Sequence, residues 1–361
     1  MIHIITAVAV VFLICFLFTQ SFGAVSYVIQ DLGLLGDSSA SARGISDSGL
    51  VAGYYTSADN YTPVIWHPGG STSFLACDKG GEALDINSNG QAVGWVYTQQ
   101  GRQAVMWGTN GNMTALPIPS GLVDPSACAI SDTGWIAGNA MQISTPVAAA
   151  LLWAPGQTAQ SYRVGPSDVF SACDVNNSGM GVGYAIRGKL DPGAVVFANG
   201  WDIIAGGATN SAALAFGVSN SGYIAGYYNG RPVVWNPDLS VVILDDAGGR
   251  AYAVNDAGLA VDESGSGATA WSITGEKWVL PTLGRGSTAI AYDINASGWI
   301  VGDCKDAAGR THAVLWQPSS VVPDPDPDPE PVPEPTTALY ALSCVLAGTG
   351  LLRRKRTTAP S

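Results

Sequence analysis

Short apolar segments alternate with polar turns along the middle of the chain, and the pattern repeats. Between residues 24 and 322, a strand-length apolar run ends in Ser or Asn, two variable residues and Gly. Ala stands seven residues before this glycine, and Ile or Val stands four residues before it. The repeated glycines, 36 to 45 residues apart, are Gly49, Gly90, Gly134, Gly179, Gly222, Gly258 and Gly298. This period predicts a repeat architecture with one supersecondary unit per copy.

Each unit predicts four short strands. In the first unit they are the apolar run before Gly49 and residues 50–52, 64–66 and 73–76. Asn or Ser caps the turn through its own side chain, and glycine takes the positive φ that closes it. The repeated aromatic residues that end the third strands are Trp66, Trp107, Trp153, Phe197, Trp235, Trp271 and Trp316. Four antiparallel strands in about 40 residues match one blade of a β-propeller.

The last unit lacks a fourth strand, and the start of the middle region supplies a spare one. After Ala313–Trp316 the chain runs directly into a Pro-rich segment, whereas Tyr27–Gly33 matches the fourth strand of the sixth unit, Trp278–Gly284. We therefore predict an all-β fold, a seven-bladed β-propeller of four-stranded blades. Its N-terminal strand completes the last blade and closes the ring, which removes exposed sheet edges. An open β-solenoid is the alternative.

The two ends of the chain differ from this region and predict export. Residues 1–23 contain the apolar run Ile4–Phe18 and end in small residues, as a signal peptide does. Residues 323–335 are rich in Pro and acidic residues and predict an extended linker. Residues 336–352 predict a C-terminal transmembrane segment, and residues 353–361 predict a basic cytoplasmic tail.

Composition and motif content limit the classes of partner and of reaction that the sequence predicts. The chain has 16 Lys and Arg against 28 Asp and Glu, a net charge of −12, which disfavours nucleic acid as a partner. The sequence has no Cys-x-x-Cys pair, so it predicts no zinc or redox motif. No motif places His67 or His312 beside a nucleophile. We therefore predict no catalytic residues.

Three aspartates share one position of the repeat, five residues before the turn glycine: Asp85, Asp174 and Asp293. Residues 85–90 read Asp-x-Asn-x-Asn-Gly and match the opening of a calcium loop, but Val96 stands where the closing acidic ligand is needed. Carboxylates that converge in a propeller channel would also suit a glycan-cleaving enzyme. A plain hairpin turn explains the pattern without a metal. We predict no cofactor, with calcium as the alternative.

Cys128 and Cys173 occupy equivalent positions in adjacent units. Adjacent inner strands of a propeller lie close together and the export route is oxidising, so these two residues are candidates for a disulfide. Two packed free thiols are the alternative, because free Cys behaves as a small buried hydrophobe. The pattern leaves the state of Cys77 and Cys304 open.

Four units carry an aromatic residue directly after the glycine of the second strand. These residues are Tyr54, Trp95, Tyr184 and Tyr227. Aromatic faces stack on the C–H faces of sugars, and a ring of equivalent sites would add avidity. We predict that these four residues bind a saccharide. Packing between neighbouring blades is the alternative.

The C-terminal segment resembles the PEP-CTERM sorting signal of exopolysaccharide-producing Gram-negative bacteria. The resemblance rests on a Pro-Glu-Pro motif, the apolar segment and a basic cluster, which are Pro333, Glu334, Pro335, residues 336–352, Arg353, Arg354, Lys355 and Arg356. It implies an exosortase as a partner, cleavage near the motif, and release or transfer to the cell surface.

The repeats resemble a second family, the bacterial extracellular HAF repeat. The resemblance rests on units such as Tyr292–Gly302 followed by His312–Trp316. The family triplet His-Ala-aromatic appears here as His-Ala-Val at 312–314, and other units lack the histidine. The resemblance implies an exported protein without an assigned reaction.

These features together predict a protein that is anchored in the inner membrane before processing and then reaches the cell surface or the extracellular matrix. Its predicted role is non-catalytic binding of exopolysaccharide or of another surface partner. Two alternatives remain, an exported propeller enzyme that acts on glycans and a scaffold that binds protein through its rim.

Overall fold

The computed structural model describes residues 26–319, apart from 35–38, 58–59, 144, 146, 164–167, 199, 265–266 and 285–287. The described residues form twenty-eight strands in seven four-stranded antiparallel sheets that are arranged in a ring. This confirms the predicted all-β, seven-bladed propeller. The predicted signal peptide, linker, transmembrane segment and basic tail lie outside the described residues. Within the described part of the chain, no helix is long and apolar enough to cross a membrane.

The first four blades follow the chain, and the first strand of each blade is the innermost. Blade 1 contains β2 (Ser39–Ile45), β3 (Val51–Ser57), β4 (Asn60–Trp66) and β5 (Thr72–Phe74). Blade 2 contains β6 (Gly81–Ile86), β7 (Ala92–Thr98), β8 (Gly101–Trp107) and β9 (Met113–Ala115). Blade 3 contains β10 (Leu122–Ile130), β11 (Ile136–Gln142), β12 (Ala148–Trp153) and β13 (Gln160–Tyr162). Blade 4 contains β14 (Val169–Val175), β15 (Gly181–Ile186), β16 (Gly193–Phe197) and β17 (Trp201–Gly206).

The last three blades continue this order, and the seventh takes its outer strand from the start of the described chain. Blade 5 contains β18 (Ala213–Val218), β19 (Ile224–Tyr228), β20 (Arg231–Trp235) and β21 (Val241–Ile243). Blade 6 contains β22 (Gly249–Val254), β23 (Leu259–Ser264), β24 (Gly267–Ser272) and β25 (Lys277–Val279). Blade 7 contains β26 (Ala289–Ile294), β27 (Ile300–Lys305), β28 (Thr311–Ser319) and β1 (Ser26–Asp31).

Strand exchange closes the ring, as the sequence predicts. Strand β1 pairs antiparallel with β28, with Ser26 opposite Ser319 and Asp31 opposite Val314. The inner strands of blades 7 and 1 also meet, because the amide of Ile45 donates to Asp293 Oδ2 at 2.8 Å. The propeller is therefore closed, and the alternative of an open solenoid is wrong.

The Ser/Asn-x-x-Gly signature forms the hairpin turn between the first and second strands. In blade 1 the amide of Gly49 donates to the carbonyl of Ser46 at 3.0 Å, and Ser46 Oγ accepts the amide of Leu50 at 3.1 Å. Gly49 has a φ of 80°, a left-handed conformation that favours glycine. The structure therefore confirms the predicted roles of the repeated Ser or Asn, which caps the turn, and of the repeated glycine, which closes it.

Each inner strand contains a β-bulge directly after the repeated Ala. In blade 1, Ala42 is opposite Gly53 and Gly44 is opposite Ala52, so the residue between them is unpaired. The seven bulge residues line the central channel, where the space among them is about 120 Å³, and they are Arg43, Leu84, Cys128, Cys173, Phe216, Tyr252 and Tyr292. The repeated Ala residues are fully or almost fully buried, which fits their predicted place where blades converge.

The core lies between and within the blades and is built on the repeated aromatic residues. Trp107, Trp153 and Trp316 are almost completely buried. Their indole Nε1 atoms donate to backbone carbonyls at 2.7 to 2.8 Å, which satisfies the buried polar group. The glycine of the second strand leaves room for this ring, because a Cβ at Gly53 would collide with Trp66 and with the carbonyl of Ser41.

Blade 6 departs from this arrangement at Asp262, which replaces the second-strand glycine. Asp262 is fully buried, and neither of its carboxylate oxygens has a hydrogen-bond partner among the described residues. The Nε1 of Trp271 is also without a partner there. Burial raises the pKa of Asp262 to about 7, and the charge of the nearby Lys277 lowers it only in part.

We expect Asp262→Gly to stabilise the propeller more at pH 8 than at pH 4. The carboxyl ionises near pH 4 in the unfolded chain and only near pH 7 in the folded one, so its burial costs stability increasingly as the pH rises between these values. The gain at pH 8 is about 4 kcal/mol at most. Urea unfolding at both pH values measures it. Asp246→Gly, at an exposed position, is the control, and an equal effect of Asp262→Gly at both pH values would contradict the assignment.

Candidate binding site at the channel mouth

Three carboxylates join neighbouring blades along the channel wall. Each accepts the next amide of its own strand through Oδ1 and an amide of the following blade through Oδ2. For Asp174 the donors are Val175 and Val218, both at 2.7 Å. The corresponding amide donors are Ile86 and Ile130 for Asp85. For Asp293 they are Ile294 and Ile45. The three aspartates thus join blades 2 and 3, 4 and 5, and 7 and 1.

These bonds give the aspartates a structural role. Burial raises the pKa of Asp174 to about 6 and that of Asp293 to about 7, and it raises the pKa of Asp85 well above its usual range. Asn87 and Asp85 do not point toward a common metal position, because Asn87 Nδ2 donates to the carbonyl of Ser131 at 3.1 Å. No cluster of three side chains suited to a metal occurs among the residues that the structure describes.

Cys128 and Cys173 are both bulge residues and line the same stretch of the channel as free thiols. Burial raises the pKa of both thiols, and the proximity of Cys128 adds to the effect on Cys173. Asn139 Nδ2 lies 3.3 Å from Cys128 Sγ. The structure therefore brings the two residues to neighbouring blades as the sequence predicts, and the disulfide between them stays a prediction.

In each blade, the residue directly after the position equivalent to Gly53 lies on the second strand, away from the turn that joins the first two strands. Together these residues form a ring. We call these seven residues the mouth ring: Tyr54, Trp95, Asn139, Tyr184, Tyr227, Glu263 and Asp303. Several contact the bulge residues that line the channel. Glu263 Oε2 accepts the Tyr252 hydroxyl at 3.0 Å, and the Arg43 guanidinium lies 5.9 Å from the ring of Tyr54.

An aromatic cluster lies where blades 1 and 2 meet at the mouth ring. The ring of Tyr61 is 5.7 Å from that of Tyr54 and 6.1 Å from that of Trp95, and Tyr97 is 4.9 Å from Trp95. Trp95 is only 6% exposed, whereas Tyr61 is 41% and Tyr97 is 45% exposed. Trp95 therefore forms the floor of the cluster, and Tyr61 and Tyr97 present the accessible aromatic surface.

Sequence reasoning missed Tyr61 and Tyr97, because it searched for positions shared among the units. Both lie next to the hairpin between the second and third strands, where the loop varies from unit to unit. The available signal was the occurrence of two extra tyrosines beside this hairpin in neighbouring units. Tyr184 and Tyr227 are half-buried in blades 4 and 5, and no ring contact joins them to the cluster among the described residues.

Charged side chains surround this cluster. The Arg43 guanidinium stacks on Tyr292 at 4.4 Å, and the Arg102 guanidinium stacks on Trp95 at 4.4 Å. Glu82 Oε2 accepts the Trp95 Nε1 at 3.2 Å. The carboxylate of Asp303 comes from blade 7.

Burial acts on the two carboxyl groups beside this cluster. Burial raises the pKa of Asp303 to about 6, although the hydroxyl of Ser41, 3.1 Å from Oδ2, and the charge of Arg43 lower it. Burial likewise raises the pKa of Glu82 against the lowering effect of Arg43. The neutral form of each carboxyl is therefore more favoured in the protein than it is in water.

Comparison with known proteins identifies the fold and no family. The sequence matches no protein-family model, and no curated protein is significantly similar to it. A streptogramin B lyase has a similar structure, with a TM-score of 0.55 and 12% identity over 81% of this chain and 98% of that chain. The virginiamycin B lyase of Staphylococcus aureus gives a TM-score of 0.52 and 11% identity over 81% and 99% of the two chains.

A third similar structure is the β-propeller domain of the trilobed protease of Pyrococcus furiosus. Its TM-score is 0.55 and its identity is 12%, over 80% of this chain and 99% of that domain. Identities this low support a shared propeller fold alone. Function must therefore be argued from the side chains of this chain.

We expect Asp174→Asn to destabilise the propeller by about 1 to 3 kcal/mol at most, since the amide group replaces one acceptor with a donor that faces another donor, while removal of the buried charge offsets part of this loss. Chemical unfolding of the purified chain at pH 8 measures the loss. Asp202→Asn, which makes the same change on an exposed outer strand, is the matched control and should have no effect. Unchanged stability of Asp174→Asn would show that the channel carboxylates do not hold the blades together.

Proposed function

We propose that this chain is an exported, non-catalytic propeller that binds extracellular polysaccharide at its mouth ring. One observation carries the proposal: in all seven blades the mouth-ring residue is either aromatic or a planar polar side chain. These are the two kinds of side chain that suit sugars. Aromatic rings cover the C–H faces, and carboxylates and amides bond to the hydroxyls.

The aromatic cluster of blades 1 and 2 is the strongest part of this site. Tyr61 and Tyr97 are exposed enough to stack on sugar rings, and Trp95 supports them from below. Glu82 and Arg102 stand beside the same rings and offer an acceptor and donors to hydroxyls. We propose that Tyr54 and Trp95 contribute through this cluster, and that Tyr184 and Tyr227 flank the mouth in blades 4 and 5.

The targeting segments at the two ends of the chain support the extracellular part of the proposal. The apolar N-terminal run, the Pro-Glu-Pro motif at 333–335 and the basic cluster at 353–356 support export, processing by an exosortase and delivery to the cell surface or matrix.

Replacing all three residues of the motif by Ala should leave the chain in the cell envelope at its unprocessed mass. Immunoblots of envelope and culture fractions measure this, and normal release of the variant would contradict the sorting role.

A glycan-cleaving enzyme is the second candidate. The observation that favours it is the pair of buried carboxyls Asp303 and Glu82 near the Arg43 cation, because burial raises the pKa of both, as it does for the general acids of glycan-cleaving enzymes. The two lyases of similar fold are propeller enzymes, and their low identity supports the fold alone. Product analysis distinguishes this candidate from simple binding.

We expect the full-length chain to bind polysaccharide saturably, and Tyr61→Ala with Tyr97→Ala together to weaken that binding about tenfold, because two stacking faces are lost. Affinity electrophoresis and calorimetry with a panel of soluble polysaccharides measure the effect. Thermal unfolding of the double variant should remain cooperative and fall only by the amount that the lost ring contacts with Tyr54 and Trp95 account for, since both side chains are partly exposed.

Phe74→Ala is the control for this experiment, because Phe74 is an exposed aromatic residue on the outer strand of blade 1. Binding that depends equally on Phe74 would point to a nonspecific aromatic effect. Shortened polysaccharide in the same mixtures would favour the enzyme. Absence of binding and of cleavage would contradict both candidates and favour the protein scaffold.

A further inference from the structure

The cations of the mouth ring region are already neutralised by neighbouring carboxylates. Burial alone would lower the pKa of Arg43, but the nearby tyrosines and the charges of Asp303 and Glu82 raise it above its usual value. Arg102 is near enough to Glu82 for its charge to act on that carboxyl. Both guanidinium charges thus act on Glu82, and among the described residues each cation of this region has a carboxyl group whose charge compensates it.

Two buried polar atoms of the same region are without partners. Oδ1 of Asp303 and Nε of Arg102 have no hydrogen-bond partner among the described residues. One is an acceptor and the other is a donor, and an unpaired buried polar group is costly. The two atoms lie in different blades, so separate hydroxyl groups would pair with them, one that donates to Asp303 and one that accepts from Arg102. An ionised carboxylate only accepts and would be repelled by Asp303.

We infer that the polysaccharide bound at the mouth is neutral, with hydroxyls rather than carboxylates directed at Asp303, Glu82 and Arg102. The inference rests on the proposed function and names the substrate class of that same site. The chain's net charge of −12 acts in the same direction, because it repels a polyanion before contact. Sugar rings stack on Tyr61 and Tyr97, and the polar groups between blades 7, 1 and 2 read the hydroxyls.

The first test compares neutral and acidic probes on the full-length chain. Calorimetry at physiological salt uses soluble glucans, galactans and mannans as neutral probes and polygalacturonate of matched length as the acidic probe. We expect saturable binding of at least one neutral polymer and at least tenfold weaker binding of polygalacturonate. Tighter binding of polygalacturonate overturns the neutral class and leaves the proposed function standing. Failure of every probe overturns the proposed function and this inference with it.

The second test reverses the selectivity with one substitution. Glu82→Gln keeps an acceptor for the Trp95 Nε1 but removes the charge that compensates Arg43 and Arg102. We expect polygalacturonate to bind this variant at least tenfold more tightly than it binds the natural chain, while neutral binding falls by a few-fold at most. Unfolding temperatures establish that the variant is folded.

Glu276→Gln is the matched control, because it makes the same change in net charge at an exposed turn of blade 6. It should leave the affinities for both probes unchanged. A gain in polygalacturonate binding that is equal in the two variants would assign the effect to overall charge and overturn the local explanation. No gain in Glu82→Gln would show that charge compensation at the mouth does not set the selectivity.

Discussion

The convergence of seven inner strands on one channel is the constraint on which the rest of this structure depends. Backbone amides that face the channel need acceptors, and three aspartates supply them to six of the seven blades, two blades at a time. Seven is odd, so one blade neither supplies nor receives such a carboxylate. It is blade 6, which has Ala253 at this position. The same blade contains the buried Asp262 and adjoins the blade closed by strand exchange.

The two ends of the channel join neighbouring blades in different ways. At the turns, Asn176, Asn255 and Asn295 donate to the carbonyl of the next turn, so neighbouring blades are joined by hydrogen bonds. In the mouth ring only some blades need such a link. Asn139 bonds to both backbone groups of Ala172 in the next blade, at 2.8 and 2.9 Å. Because the turn end already holds the ring, other blades can place aromatic residues at the same position.

The sequence predicts most of the fold because its signals are local. The turn glycine, the buried Ala and the closing aromatic recur at fixed offsets, and the spare strand at Tyr27 reveals the closure. The site is less predictable, because it joins residues such as Ser41 and Asp303 that are 262 positions apart. A bulge also turns Arg43 into the channel, which strict strand alternation does not predict. Tyr61 lies next to a variable hairpin and has no repeated counterpart that would mark it.

The mouth ring is one asymmetric site, although it is built from seven equivalent positions. A ring of identical aromatic residues would bind a polymer through repeated, equal contacts and gain by avidity. Here Asn139, Glu263 and Asp303 interrupt the aromatic set, and among the residues that the structure describes, the exposed tyrosines lie in blades 1 and 2. In the function proposed above, specificity would come from one arrangement of stacking faces and paired charges, and one polysaccharide segment would bind per propeller. The repeat supplies the frame of the ring, and the departures from the repeat supply the side chains on which the proposal rests.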